Sequence, residues 1–114
     1  MSKLPEEYIK HILLEIEYLL GEMKILSFER FLDDPTHQRA FARSLGIIGE
    51  ATKKIPVSYR QKYPDIDWKA IAGIRDRLIH DYLGVDYEIV WDVVVNEIPK
   101  LKDQLEKILH SPNT

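Results

Sequence analysis

Apolar residues recur every three or four positions along most of the chain, which is the spacing of one face of an α-helix. The first run predicts a helix over residues 6–24, opened by Pro5; its apolar positions are Ile9, Ile12, Leu13, Ile16, Leu20 and Met23. Ser27 is placed to cap a short second helix, and Asp34 to cap a third that extends to about Ile55.

The third helix carries two further signals. Gly46 and Gly49 lie three residues apart inside it, which predicts close approach of a neighbouring element. Pro56 ends the helix. Ser58 and Gln61 then have the spacing of a capping box, so one or two more helical turns are expected.

A central helix is predicted from the Asp67 cap to about Tyr82, with Gly84 as its left-handed exit. Its apolar face consists of Trp68, Ile71, Ala72, Ile74, Leu78, Ile79 and Tyr82. At about 100° per residue, Arg75 falls near the middle of this face. An arginine at such a position needs a partner, because an unpaired buried charge is costly.

The last predicted helix starts at the Asp86 cap and has a coiled-coil-like apolar seam: Tyr87, Trp91, Val94, Ile98, Leu101, Leu105 and Ile108. Pro99 should bend it near Val95. Further apolar residues lie off the seam: Ile89, Val90, Val93 and Val95. They predict either an interface with a second subunit or a deeply buried helix end, and the sequence leaves both open.

These segments predict an all-α antiparallel bundle of four main helices plus short ones, forming a single domain over residues 1–114 with a frayed tail at 110–114. Hydrophobic residues make up 45% of the chain and charged residues 31%, which favours a folded protein over disorder. The chain contains no cysteine, and neither a signal peptide nor a membrane span is evident. A cytoplasmic location without membrane association is therefore expected.

The net charge of -3 does not by itself indicate a nucleic-acid-binding protein, but its distribution is uneven. Residues 35–64 contain six basic residues against Glu50 alone, a local balance of +5, so the remainder sums to -8. Such a segment is either an anion-binding patch or a set of solvated side chains on helix surfaces. Composition alone favours the second interpretation.

The richest chemistry lies in the eight residues from Arg75 to Tyr82. On an ideal helix Tyr82 lies ~20° from Arg75, whereas His80 lies roughly 140° away. Asp76, four residues before His80, can reach its ring. Each of these residues also has a purely structural interpretation. Arg75 could form an ion pair with Glu50, His80 could interact with a helix dipole, and Tyr82 could be a core aromatic.

The spacing Arg-x4-His-x-Tyr at Arg75, His80 and Tyr82 resembles the HEPN superfamily, specifically its HepT-like toxin branch. The flanking matches extend the resemblance over residues 6–109; they are Ile48-Gly49-Glu50-Ala51-Thr52-Lys53-Lys54, Tyr63-Pro64, Trp68, Ile71-Ala72-Gly73, Trp91 and Ile98-Pro99 with Leu101. Asp76 stands where the family often has asparagine.

The resemblance implies a helical homodimer that sets two copies of the motif in a shared cleft and cleaves RNA without a metal or other cofactor. It also implies an MntA-like nucleotidyltransferase antitoxin that transfers AMP to Tyr82. Arg75 and His80 would then be the catalytic residues, with Asp76 and Tyr82 in support. Lys53 and Lys54 are candidates for RNA or partner contacts, or only match the helix dipole.

The chemistry fits these residue types. Attack by the 2'-hydroxyl of RNA on the adjacent phosphate needs a base, an acid and a cation. His80 can act as base or acid, Arg75 can hold phosphate oxygens, and Asp76 can fix the tautomer of the imidazole. Because one histidine cannot easily fill both roles, we expect residues from two subunits in one cleft.

A different class of function is also compatible with these residues. The cleft would then bind a nucleotide or a nucleotidyltransferase without cutting RNA, in a non-catalytic helical module. The other histidines, His11, His37 and His110, lack convergent metal-ligand spacing and are expected at the surface, so no metal site is predicted.

Overall fold

The computed structural model describes residues 4–79 and 84–110. Within these ranges the chain forms the following helices: α1 Pro5–Met23, α2 Phe28–Leu32, α3 Pro35–Lys54, α4 Val57–Arg60, α5 Trp68–Ala72, α6 Ile74–Leu78, α7 Tyr87–Asn96 and α8 Ile98–His110. The all-α prediction is confirmed. The central and last predicted helices are each divided in two.

The core forms around α3, which packs against α1, α2, α5, α6 and α7, while α8 packs on α1 and α7. On one face of α3 the side chains of Phe41, Leu45 and Ile48 are fully buried. They meet Ile9, Ile12 and Ile16 of α1 in one continuous apolar cluster. Burial of this kind, and not the propensity of any one helix, holds the short elements in place.

Four predicted helix caps are formed by side-chain oxygens that accept backbone N–H groups. The distances are 3.2 Å from Ser27 to Arg30, 3.0 Å from Asp34 to His37, 3.1 Å from Asp67 to Ala70 and 3.0 Å from Asp86 to Glu88. The prediction of a capping box at Ser58 is wrong. α4 begins one residue earlier, at Val57, because the extended Pro56 takes the N-cap position.

Only one of the two glycines in α3 marks a close approach. A Cβ atom on Gly49 would lie 3.3 Å from the Ile71 carbonyl oxygen and 3.4 Å from a methyl carbon of Ile74, so α3 and the central segment meet there. A Cβ atom on Gly46 would meet nothing within 4 Å. The prediction is confirmed for Gly49 and wrong for Gly46.

The predicted central helix is interrupted at Gly73. Glycine is a poor residue for a helix interior, and here it both ends α5 and precedes α6. The interruption changes the rotation of the chain. Ile74 and Leu78 are buried at 2% exposure each, whereas Arg75 between them is exposed, so the predicted place of Arg75 within the apolar face was wrong.

The helix also ends before the residue predicted. Ile79 is extended, with φ -91° and ψ 126°, and pairs with Val85 in an isolated antiparallel bridge. The Asp86 N–H donates to the Leu78 carbonyl oxygen at 2.7 Å. Gly84 has the expected positive φ of 103°, although α6 has already ended at Leu78. The helical angles predicted for His80 and Tyr82 concern residues that lie outside the described ranges.

The break between α7 and α8 falls at Glu97. Pro99 has no N–H to donate to the Val95 carbonyl, which explains an interruption at this point, two residues after the bend predicted near Val95. Of the residues off the seam, Val90 and Val93 are fully buried in this chain, while Val95 stays 40% exposed. The buried alternative is thus correct for Val90 and Val93. None of the described helices has the length and apolar character to cross a bilayer.

Candidate active site

The Arg75 side chain lies outside the hydrophobic core and faces solvent. Its side chain is exposed, and within residues 4–79 and 84–110 it forms no ion pair with Glu50 or any other acid. The structural interpretation of Arg75 as a buried anchor paired with Glu50 is therefore wrong. An arginine that is not used to hold the fold is available to bind an anion.

Arg75 lines an open cleft of about 490 Å³ between α1, α3 and α6. The remaining lining residues are Tyr8 and His11 of α1 with Arg43, Gly46, Ile47, Glu50, Ala51 and Lys54 of α3. The positions from α3 follow one face of that helix. Because Gly46 has no side chain, nothing projects from the middle of this face, and the cleft is continuous along it.

The charge of this cleft is predominantly positive. Arg43, Lys54 and Arg75 line it against one acid, Glu50, whose carboxylate lies 3.3 Å from the ammonium of Lys53. Two of these cations belong to the basic segment at residues 35–64. Cations of one sign collected in a cleft favour an anionic ligand such as a phosphate. The anion-binding alternative therefore has geometric support that composition could not supply.

The other predicted site residues divide between the cleft and its surroundings. Lys54 lines the cleft, whereas Lys53 is exposed beside it. Asp76 is exposed and does not line the cleft. The neighbouring Arg77 donates two hydrogen bonds to Glu97, at 2.9 and 2.6 Å, which also raise the pKa of Arg77. His80 and Tyr82 lie outside the described residues.

Sequence reasoning does not join His11 to the site, because His11 lies 64 positions before Arg75. The structure places both in the lining of one cleft. His11 Nε2 lies 4.0 Å from Glu15 Oε2, and the buried Ser44 hydroxyl donates to Glu15 Oε1 at 2.7 Å. The imidazole at the cleft is thus backed by a carboxylate that is itself held in place.

His37 has a structural part instead. Its ring nitrogens lie 2.6 Å from Asp34 and 3.0 Å from Glu22, and these bonds raise the pKa of His37. Its side chain is only 23% exposed, so the prediction of a plain surface residue was wrong for it. In the described part of the chain, no group of three or more His, Cys, Asp or Glu residues is arranged to hold a metal ion.

The fold and the cleft define a small all-α protein with a cationic site suited to phosphate groups. Comparison with known proteins gives the family: residues 8–108 match the model described as ribonuclease HepT-like, so the chain belongs to the HepT-like ribonuclease family. The family and the names of its relatives identify the chain as a ribonuclease. No solved structure gives a significant match.

Several relatives are similar over nearly their whole length. A protein of Caldanaerobacter subterraneus subsp. tengcongensis, named as a candidate RNase, is 50% identical over 107 residues, which cover 94% of this chain and 96% of the relative. A Thermococcus cleftensis protein named "Probable ribonuclease HepT" is 40% identical, covering 95% and 98%. A candidate RNase of Methanocaldococcus jannaschii is 44% identical, covering 93% and 91%.

Proposed function

We propose that this ribonuclease is the toxin of a type VII-like toxin–antitoxin pair. It cleaves RNA as a homodimer and without a metal, by attack of a 2'-hydroxyl on the adjacent phosphate. Arg75 and His80 are its catalytic residues. An MntA-like nucleotidyltransferase silences it by transferring AMP to Tyr82.

The observation that carries the proposal is the position of Arg75. It is exposed in a cleft that also contains Arg43 and Lys54, and no described acid neutralises it. The guanidinium can hold two phosphate oxygens and stabilise the extra negative charge of the phosphorane. The other two cations can bind neighbouring phosphates of the same RNA strand.

The proton transfers require groups that titrate near neutral pH. His80, five residues after Arg75, is the imidazole nearest to it in sequence and can act as base or acid. A two-fold interface would present each residue twice and supply a second imidazole. In a mixed dimer of one wild-type and one His80→Ala subunit, we therefore expect well under half of the wild-type activity. Half or more would contradict a composite site.

The cleavage test uses purified protein and a mixed-sequence RNA in buffer with excess EDTA. We expect the wild type to give fragments that end in a 2',3'-cyclic phosphate and a 5'-hydroxyl, since the nucleophile comes from the RNA itself. His80→Ala should give none, whereas His110→Gln, an exposed histidine at the end of α8, should match the wild type. Equal, negligible cleavage by wild type and His80→Ala would favour the non-catalytic binding module.

The silencing step is tested on Tyr82. The phenol oxygen attacks the α-phosphate of ATP, pyrophosphate leaves, and the attached AMP adds bulk and negative charge that repel RNA. With the nucleotidyltransferase and ATP, we expect a mass increase of one AMP on the wild type and loss of cleavage. Tyr82→Phe should gain no AMP and keep cutting. A silenced, AMP-bearing Tyr82→Phe would contradict the assignment.

A further inference from the structure

An imidazole outside the motif shares the cleft with Arg75. His11 comes from α1, and its side chain is 48% exposed, so a bound substrate and water can both reach it. Arg75 comes from α6, on the other side of α3 in the chain. The tertiary structure thus places a proton-transfer group in the same cleft as the cation that would face the scissile phosphate.

The support behind His11 distinguishes it from an ordinary surface histidine. Glu15, one helical turn later, lies 4.0 Å from His11 Nε2, a distance that can shorten to a hydrogen bond when substrate orders the ring. Ser44 is 2% exposed and anchors the other oxygen of that carboxylate. A hydroxyl, a carboxylate and an imidazole therefore lie in series from the core towards the cleft.

This order determines which ring nitrogen is free. Once the 4.0 Å contact shortens to a hydrogen bond, the carboxylate accepts the Nε2–H of neutral His11 and leaves Nδ1 without a proton, ready to accept one. Glu15 is the charged group measured against the ring, and the charged residues that line the same cleft are Arg43, Glu50 and Lys54 on α3 and Arg75 on α6.

We propose that His11 is the general base of the ribonuclease and that Glu15 is its positioning residue. Nδ1 takes the proton of the 2'-hydroxyl, the O2'–P bond forms, and the P–O5' bond breaks. The leaving 5'-oxygen takes its proton from His80. The products are a 2',3'-cyclic phosphate and a 5'-hydroxyl. This assignment rests on the proposed metal-independent reaction. It takes the second imidazole from His11 of α1 and not from a second copy of His80, so that the two proton transfers are divided between two different histidines.

The test compares two RNA substrates after the cleavage site has been mapped. One has the natural linkage, and the other has sulfur in place of the bridging 5'-oxygen, so that its leaving group needs no acid. On the natural linkage, His11→Gln and His80→Ala should each lower kcat by about 10²–10⁴. On the sulfur linkage His80→Ala should recover to near the wild-type rate, whereas His11→Gln should stay slow.

Three further measurements separate chemistry from folding and binding. Affinity for a 2'-O-methyl RNA should be unchanged within about twofold in His11→Gln, because the variant loses a proton-transfer group and no phosphate contact. The fall of kcat/KM at low pH should disappear in His11→Gln and should move in Glu15→Gln, since Glu15 acts through the ring. Added imidazole should restore part of the rate of His11→Gly.

Three results would overturn the proposal. His11→Gln could cleave the natural linkage within about threefold of the wild type, less than the loss of a general base allows. The sulfur linkage could restore His11→Gln, which would make His11 the acid. The fall at low pH could persist unchanged in His11→Gln. A wild type that fails to cleave in EDTA would instead contradict the proposed function itself.

Discussion

The two long faces of α3 show how one helix serves both the core and the cleft. On one side Phe41, Leu45 and Ile48 are fully buried, and Gly49 lets the central segment approach closely. On the other side the helix contributes Arg43, Glu50 and Lys54 to an open cleft. The first face is closed and apolar, and the second is open and mostly cationic.

The comparison separates the charged side chains that stabilise the fold from those that line the cleft. Arg77 is satisfied by Glu97, and His37 by Asp34 and Glu22, so these groups join elements of the fold. Arg75, two residues before Arg77, instead faces the cleft with other cations. Like charges placed together oppose folding slightly, and a ligand of opposite charge explains why such an arrangement is useful.

The largest expected effect comes from the two arginines of α6. Arg75→Ala should lower kcat/KM for RNA by about 10²–10³, because the phosphorane loses its cation, and should change the free energy of unfolding by less than about 0.5 kcal/mol. Arg77→Ala should leave the rate within a few-fold and cost up to about 1 kcal/mol, since the pair with Glu97 is partly exposed. Steady-state kinetics measure the change in kcat/KM, and urea unfolding measures the change in the free energy of unfolding. A large loss of activity in Arg77→Ala with little change in Arg75→Ala would contradict the different roles assigned to the two arginines.

The next effect distinguishes the closed face of α3 from the open one. Gly49→Ala should destabilise the protein by about 1–3 kcal/mol, because the new methyl group meets the backbone carbonyls of Ile71 and Ala72. Gly46→Ala, in the same helix, should stabilise it by up to about 1 kcal/mol through helix propensity. Urea midpoints compare the two. Equal shifts would mean that the approach at Gly49 is not tight.

A smaller effect is expected for RNA affinity. Arg43→Gln should weaken binding of a 2'-O-methyl RNA and reduce the slope of log K against log salt by about one, as for one lost phosphate contact. Arg39→Gln is the matched control, because Arg39 is exposed on α3 but does not line the cleft. Titrations at several salt concentrations measure the slopes. Identical slopes for the two variants would place the RNA elsewhere.

The smallest effect concerns the first turn of α3. The bonds to Glu22 and Asp34 raise the pKa of His37 above 6.5, so its stabilisation is fully present below that value and is lost as pH rises through the folded-state pKa. The stability difference between wild type and His37→Asn should therefore shrink by about 1 kcal/mol between about pH 5.5 and pH 9. A difference independent of pH would show that the ring bonds do not depend on its charge.

Much of the fold follows from local signals in the sequence. The bounds of α1 and α3 and the caps at Ser27, Asp34, Asp67 and Asp86 were all predicted, because capping depends on a side chain and a backbone N–H a few residues away. The breaks at Gly73 and Glu97 were not. Periodicity carries on through a single glycine or proline, so it does not show where a helix stops and restarts at a new rotation.

The sequence by itself determined the helical class, the caps, the family motif and the presence of Arg75 within it. The tertiary structure decided that Arg75 faces outward and that Arg43, Lys54 and His11 share its cleft. The physical reason is distance along the chain. Local propensity acts over a few residues, whereas a site made from α1, α3 and α6 exists only after the core has packed these helices together.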